Sequence, residues 1–163
     1  EKDRWAKQAL WERATRVPLV IVPPKNRAGE FAAAGSVCAQ PAELLSLFPT
    51  LIEACALTEG PEKLAGQSLM PLLENPEADW LHLAITTYQP GNHAIRDKRY
   101  RYIRYKDGSE ELYDLREDKP EWKNLASDPE MKPVIERLSK AIPKTNAAPP
   151  KQTGKRKRAD EGD

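Results

Sequence analysis

The side chains that could do chemistry in this 163-residue chain are few and scattered. His93 lies in Pro90-Gly91-Asn92-His93, at the start of an expected strand near the rim of a sheet, where loops reach a neighbouring cleft. An imidazole there can donate a hydrogen bond to a ligand oxygen, and Asn92 and Arg96 join it as candidate ligand-binding residues. His82, beside Trp80 and two leucines, reads as structural. The two cysteines, Cys38 and Cys55, have no metal-ligand spacing and are too few for a disulfide framework. Cys55, inside Leu51-Ile52-Glu53-Ala54-Cys55-Ala56-Leu57, reads as a small buried apolar residue. No metal ligands are assigned.

Two basic groups raise a different chemistry. Arg99-Tyr100-Arg101-Tyr102-Ile103-Arg104-Tyr105 interleaves basic and aromatic side chains, and Lys155-Arg156-Lys157-Arg158 adds a basic run. Such a composition can stack bases and contact phosphates. Along a strand, however, Tyr100 and Tyr102 share one face while Arg101 and Ile103 share the other, so neither face is a basic-aromatic platform. Glu110 and Glu111 on the following strand are expected to pair with these arginines. A half-buried strand is the better reading, with nucleic-acid or polyanion binding, or a non-catalytic scaffold, as the alternatives.

The elements that must carry these residues are short. Fifteen prolines and eight glycines imply many turns. Twenty-six Lys and Arg against twenty-five Asp and Glu leave no overall field to draw the chain to nucleic acid or membrane. No apolar run approaches the roughly 20 residues that span a bilayer. The first residues, Glu1-Lys2-Asp3-Arg4, are neither a methionine nor a signal peptide and are expected to continue a longer chain.

Apolar spacing predicts a helix over residues 5–15, ended by Pro18. Val17-Pro18-Leu19-Val20-Ile21-Val22 then reads as a strand buried on both faces, as in the parallel sheet of an α/β protein. Residues 41–57 read as helical, divided at Pro49, and residues 66–73 as a short turn or helix. Beyond Asn75-Pro76 the pattern changes. Strands are expected over 84–88, 93–96, 100–105 and 110–114, with Asp107-Gly108 turning the last hairpin. A final helix from about Pro129 to Ile142 would place Met131, Val134, Ile135, Leu138 and Ile142 on one face, with Asp128 as its cap. The chain thus divides into 1–80, the end of a larger α/β layer; 81–145, a small antiparallel sheet with a packed helix; and 146–163, an expected disordered basic tail.

Trp5-Ala6-Lys7, Trp11-Glu12, Thr15-Arg16-Val17-Pro18 and the apolar run after them resemble a segment of sulfatases, in the iduronate-2-sulfatase-like and choline-sulfatase-like branches. Gln40-Pro41-Ala42-Glu43-Leu44-Leu45, Gly66-Gln67-Ser68-Leu69, Arg101-Tyr102-Ile103-Arg104-Tyr105, Glu111-Leu112-Tyr113-Asp114-Leu115 and Asn124-Leu125-Ala126 follow in that family's order. The resemblance covers about residues 1–145 and implies the C-terminal part of an alkaline-phosphatase-like α/β fold. It implies hydrolysis of sulfate esters, of sulfated glycans in first place, by a formylglycine and a calcium ion.

The formylglycine arises in a Cys/Ser-x-Pro-x-Arg motif. Cys38-Ala39-Gln40-Pro41-Ala42 has its proline one place late and no arginine, so this chain alone is expected to be inactive. The carboxylate and histidine pairs of such sites, calcium ligands included, are expected upstream of Glu1. The one catalytic position that the resemblance carries over is Lys7, which would bind a sulfate oxygen, and it lets His93, Asn92 and Arg96 meet a sugar or sulfate oxygen. The residues name no compartment; the resemblance favours periplasmic or secreted.

Overall fold

The structure is a computed structural model and describes residue 2 and residues 8–58, 60–61 and 63–146. Its centre is an antiparallel meander of β1 (Ala84–Thr87), β2 (His93–Arg96), β3 (Tyr100–Arg104) and β4 (Glu110–Asp114), paired in chain order. Period-two alternation sends Ile95, Tyr102 and Leu112 to one face and Ala94, Ile103 and Tyr113 to the other. The register aligns Ile95 with Tyr102 and Tyr102 with Leu112, so the apolar side chains stack across three strands. At the last hairpin, the amide of Gly108 donates to the Tyr105 carbonyl at 3.0 Å and Gly108 takes φ +87°, a conformation natural to glycine.

The first face is covered from the C-terminal side. A 3₁₀ turn, Pro129–Met131, leads into the helix Lys132–Ser139, and Asp128 accepts from the Glu130 amide at 2.9 Å to start it. Pro133 sits in the first helical turn, where its missing amide hydrogen forfeits no intrahelical bond. Leu138 is fully buried against Ile95, Tyr102 and Leu112, with Met131, Val134, Ile135 and Ile142 around it. Asn124 and Leu125 run beside β4: the Leu112 amide donates to Asn124 Oδ1 and the Leu125 amide to the Leu112 carbonyl. Asn146, expected to begin the tail, instead accepts from the Gly91 amide at 2.8 Å and belongs to the sheet's rim.

The opposite face is covered from the N-terminal side. Leu10 is buried among Ala94, Ile103, Tyr113 and Leu115, just ahead of the short helix Glu12–Thr15. The expected helix over 5–15 is therefore one turn where it is described, and residues 3–7 lie outside the described residues. Between this segment and the sheet run two more helices, Leu47–Ala54 and Met70–Glu74. The first follows a 3₁₀ turn over Leu44–Ser46, so the break falls before Leu47 and Pro49 stands in the first helical turn. Gly66 is required where it stands, because a side chain there would strike the Leu45 carbonyl. Leu69 and Leu72 pack with Trp80, whose indole donates to the Pro41 carbonyl at 2.9 Å.

Two expectations fail. Residues 17–22 form no strand, and Val20 and Val22 are 82% and 83% exposed. A strand buried on both faces needs a hydrogen-bonded neighbour and a layer on each side, and the described residues bring none to it. Cys55 is exposed at the end of its helix, as are Leu44, Leu45, Phe48 and Leu51, because no described element covers that apolar stripe. The strand and Cys55 read as buried because apolarity registers the gain from burial but not whether a partner is present. The tail's basic run, Lys155–Arg158, lies outside the described residues.

Candidate functional site

His93 opens β2 on the helix-covered face, across from Arg104 and Thr87 in register. It is buried, and its Nδ1 lies 2.9 Å from Thr87 Oγ1. Burial pulls the imidazole below its ordinary value; a hydrogen bond with Asn146 opposes this, and the Arg104 charge adds to the lowering. His93 is therefore a neutral hydrogen-bonding group near neutral pH. Its neighbour Asn92 ties the rim together, donating to the Tyr88 carbonyl and accepting from the Lys106 amide, both at 3.0 Å.

Arg96 is not brought to them. Three residues along the same strand, it points to the opposite face, where its Nε lies 3.5 Å from Glu12 Oε2. None of the three residues lines either of two surface hollows, of about 510 and 310 Å³, the smaller being bordered by Glu12, Arg13, Arg16, Lys119 and Pro120. Lys7 lies outside the described residues. His82 is structural as expected, meeting Trp80 edge-on and placing Nε2 2.9 Å from Glu43 Oε1.

The densest polar chemistry sits elsewhere, on the face that receives the N-terminal segment. Arg101 and Glu121, 3% and 2% exposed, form an ion pair 2.9 Å apart at Nε and Oε1. Arg101 Nη1 donates to the Leu10 carbonyl at 3.0 Å, and its Nη2 donates to Glu12 Oε2. Glu121 Oε2 in turn accepts from the Glu12 backbone amide at 2.8 Å. Burial raises the Glu121 carboxyl above its ordinary value against the pull of Arg101, and burial lowers Arg96 against the pull of Glu12.

A second anchor stands beside the first. Glu111 accepts from Trp11 Nε1 at 2.7 Å, Tyr113 Oη at 2.8 Å and Tyr105 Oη at 3.2 Å. Lys2 lies over the rings of Trp11 and Tyr113, 4.5 and 4.3 Å from their centroids.

The expected partners of the arginines are thereby corrected. The correction concerns Arg101, which pairs with Glu12 and Glu121, while Glu110 stands opposite Arg104 in the register as expected and Glu110 and Glu111 also take hydrogen bonds from tyrosines and a tryptophan. In the register, Arg101 stands opposite Tyr113 and Glu111 opposite Ile103, so the glutamates are offset from it. Sequence reasoning missed Glu12 and Glu121 as a pair. The available signal was Arg101 itself: an arginine on an inward face is almost never fully buried without a carboxylate. The same burial removes the basic-aromatic stripe from the surface, since Arg101, Tyr102 and Ile103 are all enclosed. Among the described residues no group of three His, Cys, Asp or Glu side chains could hold a metal ion, and no helix is long and apolar enough to cross a membrane.

Residues 1–148 match the family described as N-sulphoglucosamine sulphohydrolase, C-terminal. Over 147 residues the chain is 41% identical to a sulfatase of Formosa agariphila, covering 90% of this chain and 28% of that protein. It is 31% identical over 137 residues to a Delta 4,5-hexuronate-2-O-sulfatase of Bacteroides thetaiotaomicron, covering 78% and 27%. Among solved structures it is similar to the phosphonate monoester hydrolase of Agrobacterium radiobacter, with 27% identity, a TM-score of 0.44, and coverage of 58% of this chain and 23% of that one. The chain spans less than a third of the length of the curated relatives it matches.

Proposed function

The chain belongs to the sulfatase family, as its C-terminal region, and we propose that it serves a whole enzyme that hydrolyses sulfate esters of sulfated glycans. The relative named as a hexuronate 2-O-sulfatase supports a glycan substrate. In this reading residues 1–80 finish the catalytic α/β layer of an alkaline-phosphatase-like fold, residues 81–145 form the small subdomain, and the nucleophile comes from elsewhere in the protein. The observation that carries it is the docking of residues 10–12 on the small sheet, through Leu10, Trp11 and Glu12. Residues 10–12, which follow the stretch that resembles the family's lysine motif, and the sheet that resembles its subdomain then act as one piece.

Lys7 would hold a sulfate oxygen, gaining strength as negative charge develops on the sulfuryl and leaving-group oxygens. His93 and Asn92 would contact the sugar from the rim, and Arg96, on the other face, has the weakest claim of the three. Calcium, which the family resemblance implies, finds no ligand group among the described residues, so no step assigned to this chain passes through it. The site is read as export-compatible, periplasmic or secreted, on resemblance alone.

The test is Lys7→Ala in the mature, full-length protein, assayed on a nitrophenyl sulfate and on a sulfated disaccharide. Losing one preorganised donor should lower kcat by about 10²–10³ on both. Lys7→Arg should recover little, because a planar guanidinium is larger and differently directed. His93→Ala should raise KM for the disaccharide more than it lowers kcat for the aryl ester. Wild-type kcat in Lys7→Ala on both substrates would remove the lysine from the mechanism. The isolated chain should show neither turnover nor tight calcium binding by calorimetry, and either one would overturn the division of labour.

A further inference from the structure

We propose that the surface hollow bordered by Glu12, Arg13, Arg16, Lys119 and Pro120 is an anion-binding site that takes a sulfate or carboxylate group of an acidic glycan chain. The choice of a glycan rests on the sulfatase reading above, whereas the anion site stands on its own geometry.

Two segments far apart in the chain make its walls. Arg13 and Arg16 lie three residues apart on the turn Glu12–Thr15 and its C-cap, a spacing that makes them neighbours on one side of a helical turn. Lys119 comes from the loop after β4, where the Glu117 and Asp118 amides both donate to the Asp114 carbonyl, at 3.2 and 2.8 Å. Pro120 fixes its own φ, and Glu121 takes φ +60° while its amide donates to the Asp118 carbonyl at 3.1 Å. The loop is thus shaped before any ligand arrives. A buried joint then locks the two walls together: Glu121 Oε2 accepts from the Glu12 amide at 2.8 Å, and Arg101 meets both carboxylates.

The same joint decides the sign of the hollow. The carboxylates of Glu12 and Glu121 are turned toward Arg101 and Arg96, two against two. Asp118 is engaged as well, accepting from the Lys123 amide at 2.7 Å. Arg13, Arg16 and Lys119 are exposed, so three cations border a hollow whose one carboxylate is neutralised from the inside. Exposed Lys and Arg are ordinarily just solvated. What separates these three is their convergence, from two locked segments, on one concavity of about 310 Å³. That volume lies at the small end of the range for ligand sites and suits one charged unit, with the rest of a chain continuing over the surface. Guanidinium groups offer paired donors that match the oxygens of a sulfate or carboxylate, and an ammonium adds a point charge.

The experiment measures binding of a labelled, sulfated hexasaccharide to the full-length protein before its nucleophile is matured, so that the ligand is not consumed. Fluorescence anisotropy at low salt gives the affinity. Arg13→Ser, Arg16→Ser and Lys119→Ser should each weaken binding about two- to fivefold, and the three together roughly ten- to hundredfold. Salt at about 0.5 M should shrink that difference. Lys132→Ser, Lys140→Ser and Lys144→Ser together remove three charges from the C-terminal helix and the residues after it, and should leave the affinity unchanged. Equal losses in the two triple variants would show that net charge and not the hollow attracts the chain, and the site would fall. Unchanged affinity in the first triple variant would remove it too. An oligonucleotide of equal charge that binds as tightly, and loses as much, would overturn the glycan as its ligand. Turnover of a nitrophenyl sulfate by the matured wild type tests the sulfatase reading separately. Its absence, with the binding loss intact, removes that reading and keeps the anion site. Melting curves check that each variant folds. Should Arg13→Ser not fold, Lys119→Glu carries the test alone, with at least the single-site loss expected.

Discussion

Asp114, at the end of β4, accepts from Arg99 Nε and Nη2 at 2.8 and 2.6 Å and from the Arg116 amide at 3.1 Å. The Arg99 hydrogen bond is the main reason its carboxyl is held below the ordinary range, with burial opposing it. An aspartate that binds its proton less readily when folded contributes stability above its ordinary value of about 3.9, and loses it as pH falls through the lower, folded value. Arg99 is partly exposed, so solvent screening keeps the contribution of the pair small. Asp114→Asn should therefore lower the melting temperature slightly at pH 7, and the gap to wild type should narrow as pH is lowered from about 4 to about 2, as followed by circular dichroism. An equal deficit across that range would show that packing, and not charge, is what the substitution disturbs.

At the scale of elements, the helix Lys132–Ser139 and the sheet depend on each other. An apolar sheet face left in water forgoes the free energy of burying it, and this helix supplies the cover through Leu138. Leu138→Ala should cost about 2–5 kcal/mol, measured by urea denaturation, and should expose Ile95, Tyr102 and Leu112 to an apolar dye. A loss below about 0.5 kcal/mol would mean that the helix is held by its rim and not by Leu138. The helix was legible from spacing because five apolar residues fall at helical intervals. Its start was less so, since Pro133 is equally compatible with a break and with a first turn.

At the scale of the molecule, two halves differ in how well they close. The sheet carries buried clusters on both faces, whereas Val17, Val20, Val22, Leu44, Leu45, Phe48 and Leu51 stand largely open. Exposed apolar stretches of that kind are fitted to cover by another surface. The isolated chain should consequently bind an apolar dye and associate as concentration rises. Sedimentation that finds a dye-silent monomer across a wide concentration range would show that residues 17–22 and 44–51 find cover within this chain after all.

The sequence by itself determined the four strands, the Gly108 turn, the capped C-terminal helix and the sulfatase likeness, because alternation, turn chemistry and motif order are local properties. Only the tertiary structure decided which charges meet. Arg101, Glu12 and Glu121 are separated by up to 109 residues of chain, and no spacing rule joins them. It also decided that His93 and Arg96 face opposite sides of one strand as folded, although period-two alternation already held that answer. The apolar run at 17–22 could not be settled from sequence, since composition measures how much a segment gains by burial, while burial itself requires a neighbour that lies on another part of the fold.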